Sequence, residues 1–165
     1  MKTNIFLIAS LLFGSAGADA SEIDSKAAFA RLKTLVGEWQ AETKMGKATL
    51  TYELIAGGTS LVERESAERM PAMMTVYHLD GDRLMMTHYC MAGNQPRMQA
   101  RSFDAKTGEL RFIFLDATNL ANKDAGHMRN VTMRFAGNDK LSSEWEFYEG
   151  GKPKNTESFQ YTRVR

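Results

Sequence analysis

From Gly37 to the C-terminus the hydrophobic pattern keeps a period of two, and no other feature constrains the fold as strongly. Ten runs carry it: EWQAETK, KATLTYELIA, TSLVERES, MMTVYHL, RLMMTHYC, RMQARSF, LRFIFLD, MRNVTMRF, LSSEWEFY and ESFQYTRVR. Turn-forming residues separate them, including Gly46, Gly57-Gly58, Asp80-Gly81-Asp82, Ala105-Lys106-Thr107-Gly108, Gly137-Asn138-Asp139 and Gly150-Gly151. Short strands recurring about every 10 residues with tight turns between them predict an all-β sandwich or barrel. Connections between near neighbours, without a long crossover, favour a single antiparallel up-and-down β-barrel of about ten strands. Two stretches resist the alternation, residues 67–71 and 117–126, and are expected as longer connections at the barrel rims.

Ahead of the strands, SEIDSKAAFARLKTLVG places Phe29, Leu32 and Val36 on one stripe with Ala28 and Leu35 beside them. This predicts a short amphipathic helix over residues 24–35, ended by Gly37. Its charges are mixed, which suits packing on the barrel better than lying on a membrane. Residues 1–20, MKTNIFLIASLLFGSAGADA, run from a lysine through an apolar stretch to Ala18-Asp19-Ala20. That is the order of a cleaved secretory signal peptide, and its apolar run is too short to span a bilayer. The expected mature domain is therefore residues 21–165, periplasmic or secreted. The formal net charge of the whole chain is +1 with no basic stripe, so neither nucleic acid nor stable membrane insertion is expected. A single cysteine, Cys90, cannot form an internal disulfide after export. Oligomeric state is not legible.

Alternation also assigns faces. A two-residue turn at Asp80-Gly81 would pair Leu79 with Asp82, Tyr77 with Leu84, Thr75 with Met86 and Met73 with His88. Met73, Thr75, Tyr77, Leu84, Met86, His88 and Cys90 then share the inner face, with His78 and Arg83 outside. The same reading turns Trp39, Leu50, Tyr52, Leu54, Phe112, Phe114, Val131, Met133, Phe135, Trp145, Phe147, Phe159, Tyr161 and His127 inward.

An interior of this kind suggests a ligand pocket. Its expected lining is Tyr77, Met86, His88, Cys90, Phe112, His127 and Trp145, with Asn94 and Arg97 of the GNQPR run at the mouth as polar anchors. Eleven methionines are the one oddity of composition, and an adaptable methionine lining suits a small apolar or amphipathic molecule. A competing reading makes His88, Cys90 and His127 ligands for haem, copper or zinc, since imidazole and thiolate suit those metals. Redox or isomerase chemistry would then follow. A third is an interaction scaffold with a filled barrel. Asp116 and Asn119 are further rim candidates. Glu63 and Glu65 share a face and could form a paired-carboxylate site, but an exposed strand surface explains them more cheaply. No nucleophile elbow, phosphate-binding glycine loop or H-E-x-x-H run is present, so no catalytic residues are expected.

The VGEWQ run, Val36 to Gln40, opens the first strand after a short helix, and it resembles the Gly-x-Trp motif of the calycin superfamily. The ten-strand pattern is more similar to the nitrobindin-like haem-binding barrels and to bacterial lipocalin-like families of unknown function. YHLDGDRLMMTHYCMAGNQPRM, DATNL, His127-Met128 and SEWEFYEGGK look like the recurring blocks of one such family. The haem-binding members follow their tryptophan with two further glycines, where this chain has Gln40-Ala41-Glu42. The resemblance implies a barrel that holds a small molecule, with haem as the alternative cargo.

Overall fold

The computed structural model describes residues 23–165. The expected signal peptide lies outside them. One helix, α1 (Ser25–Lys33), precedes ten strands: β1 (Gly37–Thr43), β2 (Gly46–Ile55), β3 (Ser60–Ala67), β4 (Met70–Asp80), β5 (Arg83–Tyr89), β6 (Gln95–Asp104), β7 (Glu109–Thr118), β8 (His127–Ala136), β9 (Lys140–Glu149) and β10 (Lys152–Arg163). Each strand pairs antiparallel with its sequence neighbour, and β1 pairs with β10 to close the barrel. The all-β, up-and-down architecture expected from the period-two pattern is the one observed.

α1 is capped by Asp24, whose carboxylate accepts from the Ala27 amide at 2.9 Å. The helix is shorter than the stripe suggested: Ala28, Phe29, Leu32 and the following Leu35 are buried, whereas Val36 is 42% exposed. Under α1 lies a layer of four leucines. Leu61, Leu84, Leu110 and Leu141 each occupy the second position of a strand, β3, β5, β7 and β9 respectively, and each is fully buried. Burying a leucine side chain contributes about 2 kcal/mol, so helix and layer together seal this end with apolar packing.

A clamp joins the chain ends here. The Arg163 guanidinium lies 4.2 Å from the Trp39 ring centroid and donates to the carbonyls of Thr34 (2.6 Å), Val36 (2.8 Å) and Asn138 (2.9 Å). The indole of Trp39 donates to the Leu35 carbonyl at 2.7 Å. Gly37, at φ +121°, has a backbone conformation that residues with a Cβ rarely adopt, and a Cβ there would crowd Arg163 Nη1 at 3.1 Å.

Two expectations need correction. The β4–β5 turn is Gly81-Asp82, so Asp80 faces Arg83, Tyr77 faces Met86 and Thr75 faces His88. The register moves by two residues while every side chain keeps its face, because the side-chain period is two. Residues 67–71 are not a long connection: β4 starts at Met70, and Pro71 sits where the β3–β4 ladder shifts register between Ala67↔Met70 and Glu65↔Met73. The other two prolines also lie inside strands, Pro96 beside the Arg97/Met98 shift and Pro153 at the Pro153/Asn155 shift. Proline lacks the ladder donor and is tolerated at such irregularities.

Candidate functional site

Polar residues fill the half of the barrel away from α1. Glu63 and Glu65 on β3, Thr75 on β4, His88 on β5, His127 at the start of β8 and Ser143 on β9 are all buried. Glu65 is two residues from the end of β3, and His88 is one residue from the end of β5. Expecting Glu63 and Glu65 on a solvated face was therefore wrong. β3 lies between β2 and β4, and it pairs Glu63 with Tyr52 and Thr75, and Glu65 with Leu50 and Met73. Directly paired residues share a face, so the inward assignment of Tyr52 and Thr75 already placed both carboxyls inside.

Glu63 is the hub. Its Oε2 accepts from the Tyr77 hydroxyl at 2.8 Å, and its Oε1 accepts a long bond, 3.3 Å, from the Thr75 hydroxyl. The Tyr52 hydroxyl faces the same carboxyl without a hydrogen bond of good geometry. Desolvation raises the Glu63 pKa, and the hydroxyl donors oppose that rise only in part. Glu65 accepts from Tyr161 at 3.3 Å. Burial, and then the neighbouring Glu63 charge, push its pKa up to about 7. Among the described residues no lysine or arginine is buried to balance these two acids.

His88 extends the network. Its Nδ1 lies 3.0 Å from the Thr75 hydroxyl, and its ring packs on Trp145 with centroids 4.8 Å apart. Nε2 is buried without a partner, and desolvation lowers the imidazole pKa to about 4. With Glu63 ionised, Thr75 donates to the carboxylate, Nδ1–H donates to Thr75, and Nε2 presents a bare lone pair. With Glu63 protonated the chain can reverse, leaving an unpaired Nε2–H. The protonation state of Glu63 thus selects the tautomer of His88. A cavity of about 10 Å³ lies beside this network, lined by Tyr52, Glu63, Glu65, Ser143 and Tyr161 with Leu50, Met133 and Trp145. That is space for one water molecule.

Of the other sequence candidates, Tyr77, Met86 and Phe112 are fully buried, and Tyr77 packs on Phe112 with centroids 5.8 Å apart. His127 is buried against Phe114, its Nδ1 donating to the Ala125 carbonyl at 2.8 Å, which leaves Nε2 as an unpartnered acceptor. Asn94 is buried and donates to the Gly126 carbonyl at 2.8 Å, tying the β5–β6 connection to the β7–β8 connection. Cys90 is a half-buried free thiol whose pKa is raised by burial. Arg97 is on the outer face, paired with Asp116 through Nε at 2.6 Å, and Asn119 binds the Gly93 carbonyl. Among the described residues, no three of His, Cys, Asp and Glu gather closely enough to hold a metal ion. Sequence reasoning missed Glu63, Glu65, Tyr161 and Thr75 as a connected set, although cross-strand neighbours carried the signal.

Fold and interior define a closed ten-stranded antiparallel barrel with one apolar end and one polar half. No family model matches the chain, and no curated protein is significantly similar to it. Among solved structures, the crystal structure of Rv2717c from M. tuberculosis is similar, with a TM-score of 0.56 and 14% identity, covering 84% of this chain and 98% of that one. At that identity the likeness is one of barrel fold.

Proposed function

We propose that this protein is an exported small-molecule-binding barrel of calycin type, which holds an amphipathic ligand in the half of its interior away from α1. The observation that carries the reading is the buried Glu63–Thr75–His88 network with an unpartnered Nε2. A barrel filled only for stability would not keep ionisable groups inside at a desolvation cost. Met86, Met98, Met128 and Met133 are buried in the same core, and their thioethers repack easily around a guest. Export is supported by the order of residues 1–20. Tyr77, Phe112 and Trp145 supply the apolar walls, while His88 and Asn94 offer polar contacts and Cys90 and His127 extend the lining; Arg97, on the outer face with Asp116, takes no part.

A second reading, ligation of haem iron or a copper or zinc ion, has one observation in its favour. His88 Nε2 is unpartnered, and its Nδ1 is oriented by a hydroxyl that a carboxyl holds in turn, an arrangement that tunes metal-ligating imidazoles. Cys90 and His127 do not complete a three-residue group around it.

Native mass spectrometry and a visible spectrum of the protein purified from the exported fraction test both readings. An organic adduct on a chain starting at Ser21 is the expected result. A Soret band or a metal-sized increment, lost in His88→Ala, would replace it with the second reading.

A further inference from the structure

The interior site has a definite charge preference. Two buried carboxyls, Glu63 and Glu65, line one cavity, and no buried lysine or arginine neutralises them among the described residues. The titratable groups that face Glu65 are Glu63 on β3, Tyr77 on β4, Cys90 after β5, and Glu157 and Tyr161 on β10; none of them is a base, and the two glutamates raise its pKa. His88 is held neutral by desolvation. A carboxylate ligand, such as a fatty acid, would bring a third acid into this space with no cation to pair it. The Tyr52 hydroxyl, on a residue 2% exposed, also lines the cavity and faces the Glu63 carboxyl. With its O–H turned to that carboxyl, its oxygen can accept one N–H.

Size narrows the class. The cavity holds about 10 Å³, room for a group the size of a water molecule. An –NH₃⁺ head is of that size, and a trimethylammonium head is several times larger. The aromatic walls, Tyr52, Tyr161 and Trp145, add faces that attract a cation. Met133, also in the lining, is the flexible side chain able to yield to the carbon chain next to the head.

We propose that the barrel binds a primary alkylammonium, with its –NH₃⁺ group seated between Glu63 and Glu65 and accepted by the Tyr52 hydroxyl. This inference rests on the small-molecule reading and names its ligand class. The ammonium supplies the counter-charge the two buried acids lack, and its three N–H donors meet acceptors already aimed into the cavity.

The test compares n-hexylammonium, hexanol and hexanoate by isothermal titration calorimetry on the mature protein at pH 6 and pH 8. The expected result is at least tenfold tighter binding of hexylammonium than of hexanol, and no detectable binding of hexanoate. Hexylammonium affinity should rise about tenfold from pH 6 to pH 8, with proton release on binding detected by comparing buffers of different ionisation enthalpy. Glu65→Gln should lower hexylammonium affinity at least tenfold and leave hexanol within twofold. Hexanol or hexanoate binding as tightly as the amine would overturn the ammonium assignment and leave the small-molecule reading standing. Absence of binding by all three would also overturn the assignment, and the adduct mass of the isolated protein would then judge the broader reading separately. Should Glu65→Gln fail to fold, the selectivity and the pH profile of the unsubstituted protein decide by themselves.

Discussion

The imidazole of His88 meets the hydroxyl of Thr75 at 3.0 Å, and that hydroxyl alone stands between the ring and the carboxyl of Glu63. A three-residue chain therefore links an acid buried in β3 to a ring packed at a tilt against Trp145 on β9.

Two buried carboxyls and one buried imidazole titrate with opposite effects on stability in mild acid. His88 titrates near 4 when folded and near 6.5 when free, so the unfolded chain binds more protons between those values and stability falls as pH drops from 6.5 towards 4. Glu65 titrates near 7 when folded against 4.5 when free, so its contribution falls as pH rises from 4.5 to 7. Each effect is worth about 3 kcal/mol at most. The Glu63 carboxyl, its pKa raised by desolvation, acts in the same direction as Glu65, so two carboxyls oppose one imidazole and urea unfolding should show stability falling as pH rises from 4.5 to 6.5. Glu65→Gln should remove one of the two carboxyl limbs and make that fall clearly shallower or reverse it, by up to about 3 kcal/mol across the same window.

Arg163 bonds three backbone carbonyls and covers Trp39. Arg163→Ala should cost about 3 kcal/mol in chemical denaturation, since hydrogen bonds to charged groups are the stronger ones. Arg163→Lys should recover less than half, because an ammonium cannot reproduce the planar fork.

Asn94 fastens two connections at the polar end through the Gly126 carbonyl. Asn94→Ala should speed amide hydrogen exchange over residues 119–126 and leave β3, β4 and β5 unchanged. Equal exchange in both proteins would show that the bond does not restrain that connection.

The Cys90 thiol is half-buried with its pKa raised, and only the thiolate is reactive. Ellman's reagent at neutral pH should react at least tenfold more slowly with the folded protein than with free cysteine, and at the full rate in denaturant. Fast labelling of the folded protein would contradict the observed burial.

Much of the architecture was legible because alternation and glycine turns are local signals. Strand ends were less so. A reading that stops at proline removes Met70–Ala72 from β4, Gln95–Pro96 from β6 and Lys152–Thr156 from β10, since their tolerance depends on register shifts in a paired strand. The polar interior was hidden for a different reason. Glu63 and Glu65 look like surface residues in isolation, and only the inward Tyr52 and Thr75 on either side turn them in. Which buried acids share a cavity is a property of closure, which no single strand encodes.

The β1–β10 ladder consists of just Trp39↔Arg163 and Gln40↔Thr162, whereas β9 and β10 pair along nearly their whole length. Every other ladder is a contact between sequence neighbours and can zip locally from a turn. This one must bring the two extremes of the domain together, at the largest loop-closure entropy in the molecule. Few ladder bonds are returned for that cost, so ring closure is expected to follow formation of the meander, with the same seam the first to part on unfolding and Arg163 as its latch.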